Sequence, residues 1–539
     1  MSGHVVKLRG LGRLRGVIEK NIDGGNYLAF KGVPYAKPPV GKLRFSDPIP
    51  PEPWIGIRDA AKYGSPSGQY DYLQKKICGS DDCLYLNVYV PSSEGKTTHD
   101  LPVMVWLHGG GFVYGSGDNS IYGPDYLLKK DVIVVSINYR LGVFGFLNLE
   151  HQVAPGNQGL KDQVLALKWI QEHVEAFGGD KNNVTLFGES AGAACVHFLS
   201  LSPLAQGLFH KAIAQSATGF CPWASVLQSP KSNAIRLLEY LEKPYLGEQE
   251  TVDFLRTVEC AKLVEAQTKI QTLQERAQLV WPFGPGVDDT AKVPFLPDFV
   301  SSIENGSVKV PLLLGYNNGE GIAIGKGGAV IFVHDYALAM NANFDFILHP
   351  QVSAAMKRDK KLRSTDIKQA YFGGEPLHPE KSIMKFVEFS SDMHFIIGVN
   401  ELAKKQAGKS KEPTYLYRFS FDNGTSHMKI NKWGFSVGAC HADELTYLFY
   451  PHGLSVLGYE PPEAGSRERI LIERMTQMWT DFAKTGNPIP AESEFVKTTW
   501  KPIRKANELH YLEINDELSP ALNPDAARLL VWNKLPNKL

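Results

Sequence analysis

Apolar residues run almost unbroken through three stretches of the N-terminal half: Leu101-Pro-Val-Met-Val-Trp-Leu107, Val132-Ile-Val-Val-Ser-Ile137 and Val184-Thr-Leu-Phe187. A strand with one wet face alternates apolar and polar positions. A continuous apolar run is dry on both faces, as in a parallel strand covered by helices. Between the second and third runs the period changes. Leu160, Val164, Leu167, Ile170, Val174 and Phe177 recur at steps of three and four, which draws one stripe along a helix. Gly178-Gly179-Asp180 stops that helix and starts a loop. Strand, helix and strand in this order make a βαβ unit and a parallel sheet. Further strands are predicted over Val310–Gly315 and Thr414–Phe421, and a late amphipathic helix over Ser466–Lys484, closed by Thr-Gly-Asn-Pro. The pattern is that of an α/β protein with an open, mostly parallel sheet.

Length and composition change this picture little. The chain has 539 residues, beyond the ~100–200 of a usual domain. No repeat or composition shift marks a boundary, and large α/β folds absorb long insertions. One domain over residues 1–539, with loop and helical insertions, is therefore expected. Residues are 43% hydrophobic, enough for a large core. Lys+Arg and Asp+Glu both number 57, so neither nucleic acid nor an anionic membrane is expected as the main partner. No stretch reaches the roughly 18 apolar residues of a membrane span. The N-terminal MSGHVVKLRGLGRLRG lacks an apolar signal region, so a cytoplasmic location is expected. The terminal Asn-Lys-Leu is a poor relative of the peroxisomal Ser-Lys-Leu address. Without a secretory route the sequons at Asn183, Asn305 and Asn423 carry little weight. Six cysteines in so long a chain make no disulfide framework. Cys78 and Cys83 could bridge a short loop, but free thiols are the expectation. They lack a second Cys/His pair at ligand spacing, so no metal, and no other cofactor, is expected.

The candidate chemistry begins at Gly188-Glu189-Ser190-Ala191-Gly192, which follows the strand VTLF and precedes the helical run AGAACVHFLSL. That is the context of a G-x-S-x-G nucleophile elbow. A tight strand-to-helix turn lifts the serine hydroxyl clear of the sheet, and the flanking glycines leave it room. The helix N-terminus offers free N–H groups to developing negative charge. His108-Gly109-Gly110-Gly111-Phe112 follows strand LPVMVWL. Glycines let backbone N–H groups close on a carbonyl oxygen as it gains charge, each well-placed donor being worth about 3–4 kcal/mol. Gly110, Gly111 and Ala191 are the expected oxyanion donors. A serine also needs a histidine base, and the base a carboxylate. Strand VPLLLGYNNGEG ends in a turn that carries Glu320; Asp288, Asp289 and Glu304 compete with it. His441, in the small-residue loop GACHADEL, is one of several histidines downstream.

Over nearly its whole length the sequence resembles the type-B carboxylesterase and cholinesterase family. The marks are FKGVPYAKPPVGKLRF, SDDCLYLNVYVP, HGGGF, NYRLG, GNQGLKDQ, FGGD, GESAG, NNGEG and CHADELTYLF. The resemblance implies the α/β-hydrolase fold, Glu320 as triad acid, His441 as base, and Glu189 as a residue tuning the site's electrostatics. Arg44 and Asp162 match family positions taken as structural. Within the family the chain is most similar to insect alpha-esterases, through YGPDY, FCPWA, WPFGP and CGSDDCLYLNV. The upstream cysteine usual in the family is missing. No Trp stands between Trp54 and Trp106, where cholinesterases hold a quaternary ammonium, so a choline ester is not the expected substrate. Juvenile hormone esterases are similar too, but typically carry Gln where Glu189 stands. By the same likeness Trp223, Tyr122 and Phe283 line the substrate pocket, with His427 near another pocket position; packing in the core is the plainer reading of each ring. The expected function is hydrolysis of carboxylic esters, xenobiotic and lipid-like ones included, through an acyl-enzyme, with organophosphates as inhibitors. The alternatives are a neutral lipase and a non-catalytic adhesion protein of the same fold.

Overall fold

The continuous apolar runs form the middle of one large mixed sheet. A computed structural model describes residues 4–72, 74–91, 99–226, 229–323, 334–378, 381–422 and 438–535. Its central strands are β1 (Val17–Lys20), β2 (Asn26–Pro34), β3 (Tyr85–Pro91), β4 (Leu101–Leu107), β5 (Ile133–Ile137) and β6 (Gly179–Glu189). They continue with β7 (Lys211–Gln215), β8 (Leu312–Asn317), β9 (Thr414–Phe419), β10 (His510–Ile514) and β11 (Leu518–Leu522). The order across the sheet is β11-β10-β9-β8-β7-β6-β4-β5-β3-β2-β1. The strands from β4 to β10 pair in parallel, and the edges pair antiparallel.

That order differs from the simple unit the hydropathy pattern predicts. β5 and β6 are not neighbours, because β4 lies between them. The chain steps from β4 to β5 on one side, then crosses back through α1 (Gln158–His173) to β6 on the other. Strand order therefore reverses at β4. In open α/β sheets the crevice at the carboxyl ends of such strands is where ligands bind. Here it brings together the loops after β4 and β6, the two that carry HGGG and GESAG.

The apolar runs are dry on both faces, as their pattern requires. Val103, Val105 and Leu107 of β4 face the core shared with α1 and α2 (Ala191–Leu201). Met104 and Trp106 face the opposite core, with Met475 and Trp479 of α3 (Arg467–Thr485). Each such side chain contributes about 1.5–3 kcal/mol on burial. α3 is the late helix the pattern predicts. Ser466 caps its start by accepting from Arg469 N at 3.2 Å, and Gly486 ends it at φ 78°.

Two boundaries differ. The helical stripe ends in a 3-10 turn at Val174–Phe177, and Gly178 stops it at φ 85°. The predicted loop then gives way to β6, because Gly179 already pairs with Leu101. β8 starts later than predicted, at Leu312, because Pro311 has no N–H to donate to a ladder.

Arg44 and Asp162 each make an ion pair away from the serine turn, with different partners. Arg44 holds Asp81 through two guanidinium nitrogens, at 2.9 and 2.6 Å, while Asp162 is buried against Arg140 at 2.7 Å. Cys78 and Cys83 are free thiols. Among the described residues, no helix is long and apolar enough to cross a membrane, and no cluster of three or more His, Cys, Asp or Glu could hold a metal.

Candidate active site

Ser190 stands at the turn between β6 and α2. Its backbone has φ 56° and ψ −125°, a conformation costing about 1–3 kcal/mol for a residue with a side chain. The surroundings hold it there: Ser190 N donates to Gln215 O at 2.8 Å, and Ser190 O accepts from Ala194 N at 3.0 Å. Both flanking glycines are required by space. A Cβ on Gly188 would lie 2.6 Å from the Gly192 carbonyl carbon, and one on Gly192 would strike the carbonyl oxygen of Leu107. The elbow is thus wedged against the end of β4.

The HGGG loop closes on the same point. A Cβ on Gly109 would sit 2.8 Å from Glu189 Oε2 and 3.1 Å from Ser190 Cβ. Gly110 and Gly111 take φ 107° and φ 59°, open to glycine and strained for other residues. Among the described residues, their N–H groups donate to no protein acceptor. Ala191 opens α2, where the helix leaves the first N–H groups unpaired. The glycine loop and the start of α2 thus flank the turn that carries the serine. His108 is buried, its ring stacked on Tyr139 at 4.5 Å, and burial pulls its pKa down to about 4. Its Nδ1 lies 2.8 Å from Gly109 O, so the ring braces the glycine loop.

Glu320 and His441 come from separate loops. The turn after β8 folds back so that Asn317 N donates to Glu320 Oε1 at 2.8 Å, and the carboxylate is fully buried. The His441 loop is stitched to this turn: Gly319 N donates to Ala439 O at 2.9 Å, and Ala439 N to Asn318 Oδ1 at 2.8 Å. The result is a 2.5 Å contact between His441 Nδ1 and Glu320 Oε2. On the other edge of the ring, Nε2 lies 3.0 Å from Glu189 Oε1. Among the described residues, no hydrogen bond joins His441 to the Ser190 hydroxyl. Burial opposes charge on the imidazole, but Glu189 and Glu320 outweigh it and hold its pKa well above the usual range.

Other acids named from the sequence lie elsewhere. Asp288 is buried and accepts from Phe295 N and Leu296 N, while Asp289 is exposed. The side chain of Glu304, and His427 altogether, fall outside the described residues. Of the pocket rings, Trp223 is buried between Phe112 at 6.1 Å and Phe395 at 5.8 Å. Its indole donates to His394 O at 2.8 Å. Tyr122 packs on Trp106 at 5.0 Å; burial, then the charge of Glu189, hold its phenol pKa well up. Phe283 is buried in the main core.

Three neighbours were not singled out from the sequence. Phe395 lies 4.5 Å from the His441 ring, on a π-helical turn at Asp392–Ile396 between two α-helices. Such turns re-aim side chains and recur at functional sites, but nothing in residue type marks this one. Trp281 lies against the HGGG loop: a Cβ on Gly111 would sit 2.6 Å from its ring. Glu444 lies within the CHADELTYLF stretch. It accepts from Gln215 at 3.0 Å and Asn317 at 2.6 Å, and burial beside Glu189 and Glu320 pushes its pKa up to about 8.

Comparison with known proteins identifies the family. A model of the carboxylesterase family matches residues 2–532. The chain is 36% identical over 507 residues to a juvenile hormone esterase of Tribolium castaneum, spanning 89% of this chain and 84% of that one. It is 34% identical over 504 residues to esterase FE4 of Myzus persicae, spanning 92% and 86%. The crystal structure of juvenile hormone esterase from Manduca sexta, with OTFP covalently attached, matches with a TM-score of 0.84 at 30% identity. That match covers 98% of this chain and 99% of the other.

Proposed function

The chain belongs to the carboxylesterase family, has the α/β-hydrolase fold and is a carboxylic ester hydrolase, and on that premise we propose that Ser190 carries the acyl group in a two-step transfer. His441 takes the Ser190 proton as the hydroxyl attacks the ester carbonyl. The N–H groups of Gly110, Gly111 and Ala191 receive the oxyanion. The alcohol leaves with the proton from His441. Water, activated by the same ring, then frees the acid. Glu320 fixes the ring through Nδ1 and favours its charged form.

One observation carries this reading. A strained serine lies beside the HGGG loop, where Gly110 and Gly111 keep N–H groups with no acceptor among the described residues, and a histidine backed by a buried carboxylate reaches the neighbouring Glu189. The covalent attachment of OTFP in the Manduca sexta relative supports covalent chemistry in this fold. The ring must swing from Glu189 toward Ser190 for the first step. Hydrogen bonds of this kind tighten when substrate is bound.

The substrates are esters with apolar acyl groups. Phe112, Trp223 and Phe395 form an aromatic arc from the oxyanion loop to His441. Organophosphates phosphorylate Ser190, and the tetrahedral adduct blocks the water that would release it, so they act as slowly reversing inhibitors. Ser190→Ala tests the assignment: the variant keeps its circular dichroism but loses hydrolysis of p-nitrophenyl butyrate. Undiminished turnover in that variant would remove Ser190 from the mechanism.

A further inference from the structure

The oxyanion loop is held from behind by a residue that no motif marks. Gln69 is 5% exposed and begins a short hairpin strand, Gln69–Asp71, paired with Lys76–Cys78. Its side-chain amide meets the backbone of Gly115 at both ends. Gly115 N donates to Gln69 Oε1 at 2.7 Å, and Gln69 Nε2 donates to Gly115 O at 2.9 Å. A further bond, Nε2 to Ser67 O at 3.0 Å, fixes the amide in its own loop. Gln69 thus pairs with Gly115 as a strand residue pairs with its neighbour.

Gly115 is the return limb of the oxyanion loop. The loop turns tightly, Val113 N and Tyr114 N both donating to Gly110 O, at 3.0 and 3.2 Å. Its two limbs then lie in contact. A Cβ on Gly110 would run into the carbonyl oxygen of Tyr114, and one on Gly115 would lie 2.8 Å from Gly109 O and strike the His108 ring. The peptide between Tyr114 and Gly115 has one orientation that fits. With its N–H on Gln69, its carbonyl must point the other way, onto Gly110. If that N–H lost its acceptor, the peptide could rotate, and the surface supporting Gly110 would rotate with it. Gly110 and Gly111, whose N–H groups have no acceptor among the described residues, follow Gly109, which packs on Ser190, so the error would pass directly to the donors. A misplaced donor forfeits stabilisation at the transition state more than in the ground state.

We infer that Gln69 is a positioning residue for the oxyanion hole, acting through Gly115; this rests on the assignment of Gly110 and Gly111 as donors to a Ser190-bound oxyanion. Neighbouring contacts act in the same direction. Gly117 N donates to Asn138 Oδ1 at 2.7 Å, and Gly117 O accepts from Asn87 Nδ2 at 3.0 Å. Those two asparagines fix the far end of the limb. Among the described residues, Gln69 alone bonds Gly115, the residue that packs on Gly109.

The test compares Gln69→Met and Gln69→Asn with the parent enzyme and with Ser190→Ala. Methionine keeps the length and loses both polar contacts. Asparagine keeps the amide but draws it back by one methylene, so both Gly115 bonds are lost with less damage to packing. Turnover of p-nitrophenyl butyrate and inhibition by a trifluoromethyl ketone, which forms a tetrahedral adduct with serine, are measured on each. In either variant kcat falls about 10- to 100-fold, below the full loss of one donor. KM stays within about twofold, and the inhibition constant of the ketone rises by the factor that kcat/KM falls. A structural defect elsewhere would lower the melting temperature without linking kcat to ketone affinity. Parental kcat in a variant with unchanged near-UV circular dichroism overturns the inference, as does a fall in kcat with unaltered ketone binding. If Gln69→Met does not fold, Gln69→Asn carries the same readouts. Activity in Ser190→Ala would instead defeat the underlying assignment, whereas an inactive Ser190→Ala beside a fully active Gln69 variant defeats this inference alone.

Discussion

His441 Nε2 lies 3.0 Å from Glu189 Oε1, on the edge of the ring that a general base needs free for Ser190. Glu320 holds the opposite edge through Nδ1. The imidazole thus stands between two carboxylates. Each stabilises the charged ring, yet only the neutral ring can take the serine proton.

The first prediction follows from that charge balance. Burial lowers the His441 pKa, but Glu189, followed by Glu320, raises it further than burial lowers it. Removing one negative charge moves it down. In Glu189→Gln the acidic limb of kcat/KM against pH therefore shifts to lower pH, and more of the base is neutral in mildly acidic buffer. A limb that stays in place, or moves to higher pH, would mean that Glu189 does not reach the ring. A pH series on one soluble ester decides it.

The second concerns the partner at Nδ1. Glu320→Gln keeps the shape but can present an N–H where the ring requires an acceptor. The wrong tautomer then faces Ser190. Turnover is expected to drop by roughly 10³–10⁴-fold with little change in KM, as when a triad carboxylate becomes an amide. Steady-state kinetics on the purified variant check this; a loss below about tenfold would assign the orienting role elsewhere.

The third separates donor geometry from packing. Gly111 has φ 59°, and a Cβ there meets Trp281 at 2.6 Å. Gly111→Ala is expected to cost about 10²-fold in kcat by displacing its N–H, and about 1–3 kcal/mol of stability through overpacking. Adding Trp281→Leu relieves the collision. The urea midpoint of the double variant should recover part of the loss while kcat stays low, because the backbone strain at residue 111 remains. Recovery of kcat along with stability would show that Trp281, not the N–H, sets the rate.

The legible parts of this protein are those whose physics is local. The elbow at Ser190 needs a strand, two glycines and a helix within a few residues, and all are adjacent in the chain. HGGG is readable for the same reason. The pairing of Glu320 with His441 spans 121 residues, and spacing alone leaves several acids and histidines open; resemblance to the family made the choice. The order of β4, β5 and β6 was hidden because a helix between two apolar runs does not say which neighbour it crosses. Phe395 was hidden because a π turn is one extra residue in a helix, with no residue type of its own. Gln69 was hidden because its partner is a backbone. Trp223 was named as a pocket ring, and the structure sets it between Phe112 and Phe395.

The central claim is that Ser190 is the covalent nucleophile. Titration with paraoxon, followed by mass spectrometry of the digested protein, tests it most directly. Esterase activity should fall linearly to zero at about one equivalent, with one diethylphosphoryl group on the peptide carrying Gly188-Glu-Ser190-Ala-Gly192 and slow recovery afterwards. Complete inhibition with the group on another residue, or with no adduct at Ser190, would contradict the account.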